Sequence, residues 1–297
     1  MNFSIRTMTR DDISRVGEIL YEGFSAVAAK YGYTSNIDSV QEGRLLAWAL
    51  FHHGPCERLV AEVENRVVGT TCLSLRGDFA GLGPTAIDPS CQDKAIAREL
   101  VSTVLKKAGN LQSVRTFVEA FNPAIFSLGY FTLDLIPVAE SLDLFLAGGT
   151  EQSLNLCSGV DQVRREDLEE VYTYDRPRSK LNRRTDLEYF ARWGKVFVYR
   201  SQSQIRGFLA CLPGSRWVQL GPLLAEGEEE AEALFRHALV FFKKENFRTR
   251  VMARDISLAK ALKKLGFRLY CVNILMVRGA WRPSQYIETF GYFPEGV

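Results

Sequence analysis

The two halves of this 297-residue chain carry the same landmark residues in the same order. This internal repeat constrains the fold more than any single motif does. The recurring landmarks are Gly69 and Gly207, Gly83-Pro84 and Gly221-Pro222, and Leu128-Gly129-Tyr130 and Leu265-Gly266-Phe267, at offsets of 138, 138 and 137 residues. Two unrelated domains would not keep such landmarks in step, so the sequence predicts two copies of one plan.

An earlier landmark indicates where the two copies differ in length. Arg10-Asp11-Asp12-Ile13 recurs as Arg165-Glu166-Asp167-Leu168, at an offset of 155. The second copy is therefore expected to have about 17 fewer residues between its first helix and its hairpin. We place the first domain at residues 1–148, a linker at 149–157 and the second domain at 158–297, because the residues after Ala147 are small and polar.

Length and composition predict a globular protein with a substantial core. A chain of 297 residues has room for two domains of common size. Its hydrophobic content of 46% and charged content of 24% are ordinary for such proteins. No apolar run approaches the length of a membrane span, and the first twelve residues lack the apolar stretch of a signal peptide. We therefore expect a cytoplasmic protein with no membrane partner.

The cysteines and histidines show no spacing typical of a disulfide framework or a metal site. None of the six cysteines lies close to another in the sequence, and most fall in apolar runs, so we expect reduced, buried thiols. The three histidines, His52, His53 and His237, do not combine with cysteines at zinc-binding spacing. The sequence therefore predicts no metal.

Apolar periodicity in the first half predicts a mixed sheet with helices on its faces. A helix is expected to begin at Arg10, capped by Thr9, and others are expected from Asp38 to His53 and from Asn122. The predicted strands are residues 4–6, 58–63, 67–75, 114–119 and 139–146.

The stretch Gly83–Ala108 predicts a strand that turns directly into a helix. Thr85-Ala86-Ile87 is a short apolar run, and the apolar residues that recur at helical spacing after the turn are Ile96, Leu100, Val101, Val104 and Leu105. The first N–H groups of a helix have no internal partner and, with the helix dipole, form a site for an anion. The small residues Ala95 and Ala97 would let a phosphate approach the backbone. An ordinary strand–turn–helix corner fits the same pattern.

This turn resembles the pyrophosphate loop of the GCN5-related N-acetyltransferases, the GNAT family. The family pattern is Gln/Arg-x-x-Gly-x-Gly/Ala after a strand that ends in Val-x-Pro. The chain has Ile87-Asp88-Pro89 and then Gln92-x-x-Ala95-Ile96-Ala97, with Ala95 in place of the usual glycine. The run from Asn122 to Leu128-Gly129-Tyr130 resembles the family's Asn-x-x-Ala…Leu-Gly-Phe segment, and the order of the predicted elements follows the family's plan, so the resemblance covers nearly all of residues 3–147.

The resemblance implies an α/β fold of two tandem GNAT-like domains, each a mostly antiparallel twisted sheet with helices on both faces. It also implies an N-acetyltransferase that uses acetyl-CoA as co-substrate, with no metal. The backbone of Ala86, Ile87 and Asp88 would pair with the pantetheine arm and polarise the thioester, while Asn122 and Phe126 would flank the sulfur. Lys94 and Arg98 would add positive charge. The loop residues whose N–H groups would hold the pyrophosphate are Gln92, Asp93, Lys94, Ala95, Ile96 and Ala97.

The second copy resembles the C-terminal domain of tandem GNAT proteins over residues 158–278. The residues that carry this resemblance are Asp175-Arg176, Leu181, Gly207-Phe208, Pro213-Gly214 and Leu220-Gly221-Pro222-Leu223-Leu224-Ala225. Its helix after Gly221-Pro222 begins with Glu226-Gly227-Glu228-Glu229-Glu230, and these carboxylates would repel a pyrophosphate. We therefore assign cofactor binding to the first copy only. The second is expected to be structural or to build one wall of the acceptor cleft, with the aromatic tail after Trp281 packed onto one of the domains.

The charge argues against a nucleic-acid partner, because the formal net charge is only +2. It is unevenly divided: residues 1–148 carry 13 Lys and Arg against 17 Asp and Glu, and the remainder carries 24 against 18. Much of the excess lies between Arg176 and Arg192. A solvated or interdomain basic face and a site for CoA phosphates or an acidic partner both fit this pattern.

The catalytic residues remain unassigned from the sequence. Many GNAT enzymes place a tyrosine as general acid five residues before the aromatic of Leu-Gly-Phe, but this chain has Ile125 there and Leu262 in the second copy. The candidate bases, each of which also fits an ordinary solvated side chain, are Asp78, Glu22, Tyr21, His52 and His53. Tyr31 and Tyr33 would line an acceptor pocket or cover the core.

Two functional hypotheses follow from these residues, beside a third in which the chain is a non-GNAT binding protein with a similar sheet. In the first, the protein acetylates a small-molecule or peptide amine, as a monomer or a homodimer. In the second, it is a degenerate GNAT pair that binds CoA or an acyl-CoA as a sensor or interaction module. Ala95, Ile125 and the acidic start of the second copy's helix favour the second hypothesis.

Overall fold

The computed structural model describes residues 2–91, 94–107, 109, 111–148, 155–243 and 246–292. The chain divides into two compact units, Met1–Pro137 with Met276–Ala280 and Val138–Leu275 with Trp281–Val297, which we call the first and second units. The strand Arg268–Gly279 therefore contributes residues to both units. Residues 149–154 of the predicted linker lie outside the described part of the chain.

The first unit is a mixed sheet with four α-helices among its described residues. Its strands are β1 (Ser4–Thr7), β2 (Cys56–Val63), β3 (Arg66–Arg76), β4 (Phe79–Leu82), β5 (Ala86–Ile87) and β6 (Ser113–Glu119), and its helices are α1 (Ile13–Lys30), α2 (Val40–His52), α3 (Lys94–Lys107) and α4 (Pro123–Thr132). The strands lie in the order β1-β2-β3-β4-β6, and β5 pairs with β3. The β4–β6 pair is parallel, whereas β1–β2, β2–β3, β3–β4 and β3–β5 are antiparallel.

The apolar periodicity of the sequence correctly predicts the buried face of α3. All five predicted positions, Ile96, Leu100, Val101, Val104 and Leu105, are buried. Helix α1 begins three residues later than predicted, because Arg10–Asp12 form a 3₁₀ turn before it. In that turn the N–H of Thr9 donates to Oδ2 of Asp12 at 2.7 Å, which satisfies one of the donors that a helix start leaves open.

The second unit repeats this arrangement, as the shared landmarks predict. Its strands are β7 (Ile136–Leu146), β8 (Val160–Gln162), β9 (Lys195–Ser201), β10 (Gln204–Pro213), β11 (Trp217–Ala225), β12 (Asn246–Met252), β13 (Arg268–Gly279) and β14 (Ile287–Phe290), and its helices are α5 (Leu168–Ser179), α6 (Arg184–Trp193), α7 (Glu228–Phe241) and α8 (Ile256–Lys264). Within this unit the strand order is β13-β7-β12-β14-β11-β10-β9-β8.

Matching turns support the repeat. The hairpin β2–β3 turns through Glu64 and Asn65, and the hairpin β9–β10 turns through Gln202 and Ser203; all four residues have positive φ, between 50° and 65°. Two consecutive left-handed residues form the type I′ turn that suits the twist of a two-residue hairpin.

Side chains on β10 alternate between two cores, one on each face of the second unit's sheet. Leu209 and Cys211 belong to a buried cluster that includes residues of α7 and α8. Phe208 and Ala210, which point to the opposite face, belong to a second cluster with residues of α5 and α6. The prediction of helices on both faces of the sheet is therefore confirmed for this unit.

The described part of the aromatic tail packs onto the second unit. Strand β14 lies between β11 and β12, with Thr289 and Phe290 buried. The ring of Tyr292 lies 4.5 Å from the guanidinium carbon of Arg248 and 4.8 Å from that of Arg250. Phe293 lies outside the described residues.

In the ranges that the structure describes, none of the helices is both long and apolar enough to cross a membrane. The six cysteines are free thiols, but Cys56, Cys91 and Cys157 are only half-buried, so the prediction of uniformly buried thiols is wrong for these three.

Candidate active site

Two parallel strands of the first unit diverge after a short pairing. Strand β4 pairs with β6 at three positions, from Phe79 opposite Ser113 to Gly81 opposite Arg115. The chain then crosses to β5, which pairs with β3, while β6 continues to Glu119. Among the described residues, no strand pairs with the other edge of β5. We call the space between β5 and residues 116–119 of β6 the first cleft.

The backbone of Ile87 faces the first cleft. The N–H of Asp88 donates to the carbonyl oxygen of Val68 at 2.8 Å, so this donor is used within the sheet. Hydrogen-bonded and non-hydrogen-bonded pairs alternate along an antiparallel ladder, so Ile87, opposite Gly69, directs its own N–H and C=O away from β3. Of the three predicted residues, Ala86, Ile87 and Asp88, only Ile87 therefore presents its backbone groups to a ligand in the cleft.

Helix α1 leaves the Ile87 backbone accessible because it has a glycine at the point of contact. A Cβ placed on Gly23 would lie 3.1 Å from the carbonyl oxygen of Ile87 and 3.3 Å from Cβ of Ala86. A larger side chain at this position would cover the edge of β5.

Asp88 fixes the turn between β5 and α3. Its carboxylate, which is 7% exposed, forms an ion pair with Arg15 and lies 3.3 Å from Arg66. The same carboxylate accepts hydrogen bonds from the N–H of Ser90 at 2.8 Å and from its hydroxyl at 2.6 Å. Burial alone would raise the pKa of Asp88, but the Ser90 hydrogen bonds and the charges of Arg15 and Arg66 outweigh it and lower the pKa. The side chain of Asp88 therefore has a structural role.

Helix α3 begins at the mouth of the first cleft. Gln92 and Asp93 lie outside the described residues, and Lys94, the first helical residue, is described only in its backbone. Ala95 is half-buried, and Ile96 and Ala97 are buried. Arg98 is exposed, so its guanidinium is accessible to a ligand.

Arg66 is a site residue that sequence reasoning missed. Its guanidinium nitrogen Nη2 lies 3.2 Å from Oγ of Ser90 and 3.7 Å from Sγ of Cys91, beside the turn that precedes α3, and its side chain is 58% exposed. The loop motif does not indicate Arg66, because this residue belongs to β3 and its side chain extends from that strand to the turn. Continuing the β3–β5 register from Gly69 opposite Ile87 places Arg66 opposite Ser90, so a predicted strand register would have found it.

The predicted residues at the far side of the cleft shape the start of α4. Asn122 is buried and caps the helix, with Oδ1 accepting from the N–H of Ile125 at 3.3 Å. Phe126 is half-buried, and its ring lies parallel to that of Tyr130 at 6.1 Å between centroids. Ile125, at the position where the family often has a tyrosine, is also half-buried.

Two tyrosines of the loop after α1 lie at the end of β6. The ring of Tyr33 stacks on Phe121 with centroids 4.1 Å apart, and the ring of Tyr31 lies 6.1 Å from the same phenylalanine. Tyr33 is 42% exposed, so its hydroxyl-bearing ring is accessible next to Asn122. The structure thus joins the loop aromatics to the strand that borders the cleft.

Most of the candidate bases lie away from the first cleft. Asp78 accepts from Nε2 of Gln112 at 3.1 Å, where β4 and β6 begin. His53 precedes β2, whose first residue lies opposite Ser74 of β3. Ser74 is four residues, or about 13 Å, along β3 from Thr70, which pairs with β5. Among these candidates, Glu22 is adjacent to Gly23 on the helix that borders the cleft. Its carboxylate is 42% exposed and lies 3.5 Å from Arg15.

The second unit has a corresponding divergence, which its own chain fills. Strand β11 pairs with β12 at three positions, from Trp217 opposite Asn246 to Gln219 opposite Arg248. Beyond them β14 lies between the two strands, with Thr289 opposite Leu223 on one side and Val251 on the other. We call this space the second cleft. Gln219 further accepts a hydrogen bond from the N–H of Tyr292 at 2.8 Å.

Charges near the second cleft are largely paired with one another. Glu226, at the start of the acidic segment, lies 3.0 Å from Arg178 and 2.6 Å from Arg206. The buried pair of Arg183 and Asp175 has a shortest distance of 2.8 Å. Basic residues between 176 and 192 thus contribute to ion pairs within the second unit, which favours the interpretation of a structural rather than a ligand-binding basic segment. Among the described residues, no group of three or more His, Cys, Asp or Glu side chains is placed to hold a metal ion.

Two family models match the chain, one in each copy of the repeat. A model described as the acetyltransferase (GNAT) family matches residues 20–131, and one described as an acetyltransferase (GNAT) domain matches residues 172–291, which together are more than half of the chain. This chain belongs to the GNAT family. It is a tandem member, because each match falls within one of the two predicted copies. No curated protein matched the sequence.

Several solved structures share the fold over nearly the whole chain. A putative acetyltransferase from Pyrococcus horikoshii aligns over 98% of this chain and 95% of its own, with 16% identity and a TM-score of 0.76. A tandem GNAT protein from the clavulanic acid biosynthesis pathway aligns over 95% of this chain and 100% of its own, with 13% identity and a TM-score of 0.66. A GCN5-related N-acetyltransferase from Sphaerobacter thermophilus aligns over 93% and 95%, with 13% identity and a TM-score of 0.65. At these identities the likeness is one of fold.

Proposed function

We propose that this protein is an acetyl-CoA-dependent N-acetyltransferase in which the first unit binds the co-substrate and carries the reaction. The GNAT fold supports acyl transfer as the general activity. The observation that carries the finer proposal is the difference between the clefts. Strand β14 lies in the second cleft, whereas in the first no strand of the described residues pairs with the outer edge of β5.

The residues that border the first cleft fit the parts of acetyl-CoA. The pantetheine arm carries amides, and a free strand edge such as Ile87 offers one N–H donor and one C=O acceptor to such a chain. The N-terminal end of α3 would place the positive end of its helix dipole near the diphosphate. Arg66 and Arg98 add two exposed guanidinium groups, which suit phosphate oxygens.

The acceptor would approach from the loop after α1. Acetyl-CoA supplies an activated thioester, and the attacking amine must be uncharged, so a base or a water chain has to take its proton. Glu22 is placed on the helix that borders the cleft, and it is the base that we favour among the sequence candidates. Tyr33 and Phe121 form a partly exposed aromatic surface beside Asn122 that would hold the acceptor's apolar part.

One observation favours the second hypothesis, a CoA-binding or acyl-CoA-binding module without turnover. Position 125 holds an isoleucine, which cannot donate a proton to the departing thiolate. In this hypothesis the first cleft binds the nucleotide and the cleft entrance near Tyr33 recruits a partner instead of an amine.

Thermal unfolding with and without saturating acetyl-CoA tests the binding step that both hypotheses share. Binding to the folded state raises the midpoint temperature, because the ligand stabilises only the state that it binds. No shift at saturating acetyl-CoA would reject both hypotheses.

A release assay for free CoA thiol with a panel of small amines and peptides then separates the two hypotheses. Turnover of any amine, at least tenfold lower in Glu22→Gln, supports the transferase and the base assignment. A clear thermal shift with no turnover across the panel supports the binding module. The variant Tyr33→Phe, compared with Tyr33→Ala, distinguishes a role of the hydroxyl from a role of the ring.

A further inference from the structure

We propose that Cys56 and Cys72 form a peroxide-sensitive dithiol, in which a peroxide oxidises Cys56 and Cys72 then converts the product to a disulfide. This inference is independent of acetyl transfer. It concerns the paired strands β2 and β3 where β2 begins, two to four residues along β3 from Thr70, which pairs with β5.

The two thiols are brought together by the register of β2 and β3. Cys56 lies opposite Ser74, and Arg58 lies opposite Cys72, so all four side chains share one face of the sheet. The cysteines are diagonal neighbours, a spacing at which side chains still interact. The Cys72 side chain is close enough to Cys56 to change the acidity of its thiol, and Oγ of Ser74 lies 3.8 Å from the Cys56 sulfur.

A fixed cation lies beside this pair. The guanidinium of Arg58 donates to the carbonyl oxygens of Cys56 and His53, both at 2.8 Å, and to that of Gly54 at 3.2 Å. These backbone acceptors hold Arg58 in place without adding a full negative charge. The arrangement therefore stabilises a thiolate at Cys56 by charge and by hydrogen bonds.

The acid–base properties of the two thiols differ in the direction that this chemistry requires. The neighbouring Cys72 side chain, followed by the charge of Arg58 and the hydrogen bond from Ser74, lowers the pKa of Cys56 to about 7 against the opposing effect of burial. The neighbouring Cys56 side chain and complete burial raise the pKa of Cys72. Cys56 is half-buried and Cys72 is buried, so a peroxide reaches the more acidic thiol first.

The step balances with hydrogen peroxide as the oxidant. The Cys56 thiolate attacks one peroxide oxygen, the O–O bond breaks, and Cys56 becomes a sulfenic acid while hydroxide leaves. The sulfur of Cys72 then attacks the Cys56 sulfur and loses its proton, the S–O bond breaks, and water leaves. Two thiols and one peroxide thus give one disulfide and two waters. A dithiol reductant reverses the change.

Oxidation would alter the strand that leads to the first cleft. The thiol of Cys72 donates to the carbonyl oxygen of Gly83 at 2.7 Å, and the N–H of Gly83 donates to the carbonyl oxygen of Cys72 at 2.8 Å. Gly83 is the residue at which the chain leaves β4 on its way to β5. A disulfide removes the thiol proton and with it the first of these two bonds.

Peroxide treatment of the full chain, followed by peptide mass spectrometry, tests the proposal directly. The wild type, Cys56→Ser, Cys72→Ser and a control, Cys157→Ser, are exposed to substoichiometric hydrogen peroxide with dimedone, which traps sulfenic acids. Cys157 is a suitable control because it is also half-buried but burial raises its pKa.

We expect a Cys56–Cys72 disulfide in the wild type and in Cys157→Ser, and dimedone-labelled Cys56 in Cys72→Ser. We further expect iodoacetamide to modify Cys56 roughly tenfold faster than Cys157 at pH 7, with a midpoint near that pH. The proposal is overturned if Cys91 or Cys157 is oxidised before Cys56. It is also overturned if dimedone labels Cys56 in the wild type as fully as in Cys72→Ser.

Discussion

The two clefts of this protein begin in the same way and end differently. In each unit a parallel pair of strands stays in register for three positions, β4 with β6 and β11 with β12, and then diverges. In the second unit β14 fills the space and pairs with both strands. In the first unit β5 pairs with β3, and no strand of the described residues pairs with its outer edge.

Where two paired strands diverge, the backbone N–H and C=O groups that face the gap need other hydrogen-bond partners. An unpaired buried N–H or C=O is costly, so an exposed edge is either covered by the chain or reserved for a ligand. Strand β14 pairs with the backbone of both strands that border the second cleft. An extended ligand with amide groups, such as pantetheine, would form backbone hydrogen bonds with the first cleft in the same way. The second cleft is occupied by the chain's own C-terminal segment, and we propose that the first is left for a ligand.

We expect the largest effect on ligand binding when a negative charge is introduced at the first cleft. A change of charge at the second cleft should have no such effect. Ala95→Glu puts a carboxylate near the site proposed for the diphosphate, and repulsion of two charges a few ångströms apart costs about 4 kcal/mol near a protein surface. We expect the affinity for CoA, measured by calorimetric titration, to fall at least 100-fold. The matched control is Glu229→Ala, the second residue of α7, which should leave the affinity unchanged. Equal losses in both variants would contradict the comparison.

The next effect is on stability, from the strand that fills the second cleft. Phe290 is 5% exposed, so Phe290→Ala should lower the free energy of unfolding by about 3 kcal/mol, as expected for truncation of a buried aromatic residue. Ile287→Ala, at the half-buried end of β14, should cost less. Urea unfolding measures both, and a titration with CoA at low urea should show that neither changes the first cleft. Unchanged stability in Phe290→Ala would mean that β14 does not hold the second cleft closed.

A smaller effect is expected at the turn of the first cleft. Asp88→Asn removes the charge that Arg15, Arg66 and Ser90 hold, and hydrogen bonds to charged groups contribute about 2 kcal/mol. Because the folded-state pKa of Asp88 is lowered, its contribution is present above the unfolded value of about 3.9 and is lost as the pH falls through the folded value. The stability difference between wild type and Asp88→Asn should therefore be full at pH 7 and shrink below about pH 4. A difference that stays constant over this range would exclude the ionised carboxylate as its source.

The smallest effect separates phosphate binding from the integrity of the turn. Arg66→Gln removes an exposed guanidinium and should weaken CoA binding about tenfold, or about 1.4 kcal/mol, with little change in stability. Dephospho-CoA, which lacks the 3′-phosphate, shows whether that group or the diphosphate is the partner. Loss of stability without loss of affinity would assign Arg66 to the turn alone.

The sequence predicts the parts of this fold that depend on local periodicity and on repetition. The apolar face of α3 follows from spacing within a few residues, and the two-copy plan follows from a constant offset. The role of β14 does not, because Ile287–Phe290 pairs with strands about 40 and 60 residues earlier in the chain. An aromatic tail indicates packing, but it contains no signal for which pair of strands will admit it.

The candidate site is predictable to a similar extent. The strand–turn–helix stretch identifies the region, but the hydrogen-bonding direction of each residue depends on the register of β3 and β5, which assigns Ile87 rather than Asp88 to the cleft. The same register brings Arg66 to the turn. Gln92, which begins the loop motif, and its neighbour Asp93 lie outside the described residues.

A crystal structure of the protein with CoA would show directly whether the nucleotide binds in the first cleft and not in the second. The account predicts one nucleotide per chain, with its diphosphate at the N-terminal end of α3, its pantetheine arm along Ile87, and β14 still in place between β11 and β12. Density for the nucleotide in the second unit, with β14 displaced, would contradict the account, as would a first cleft that stays empty at a concentration that saturates binding in solution.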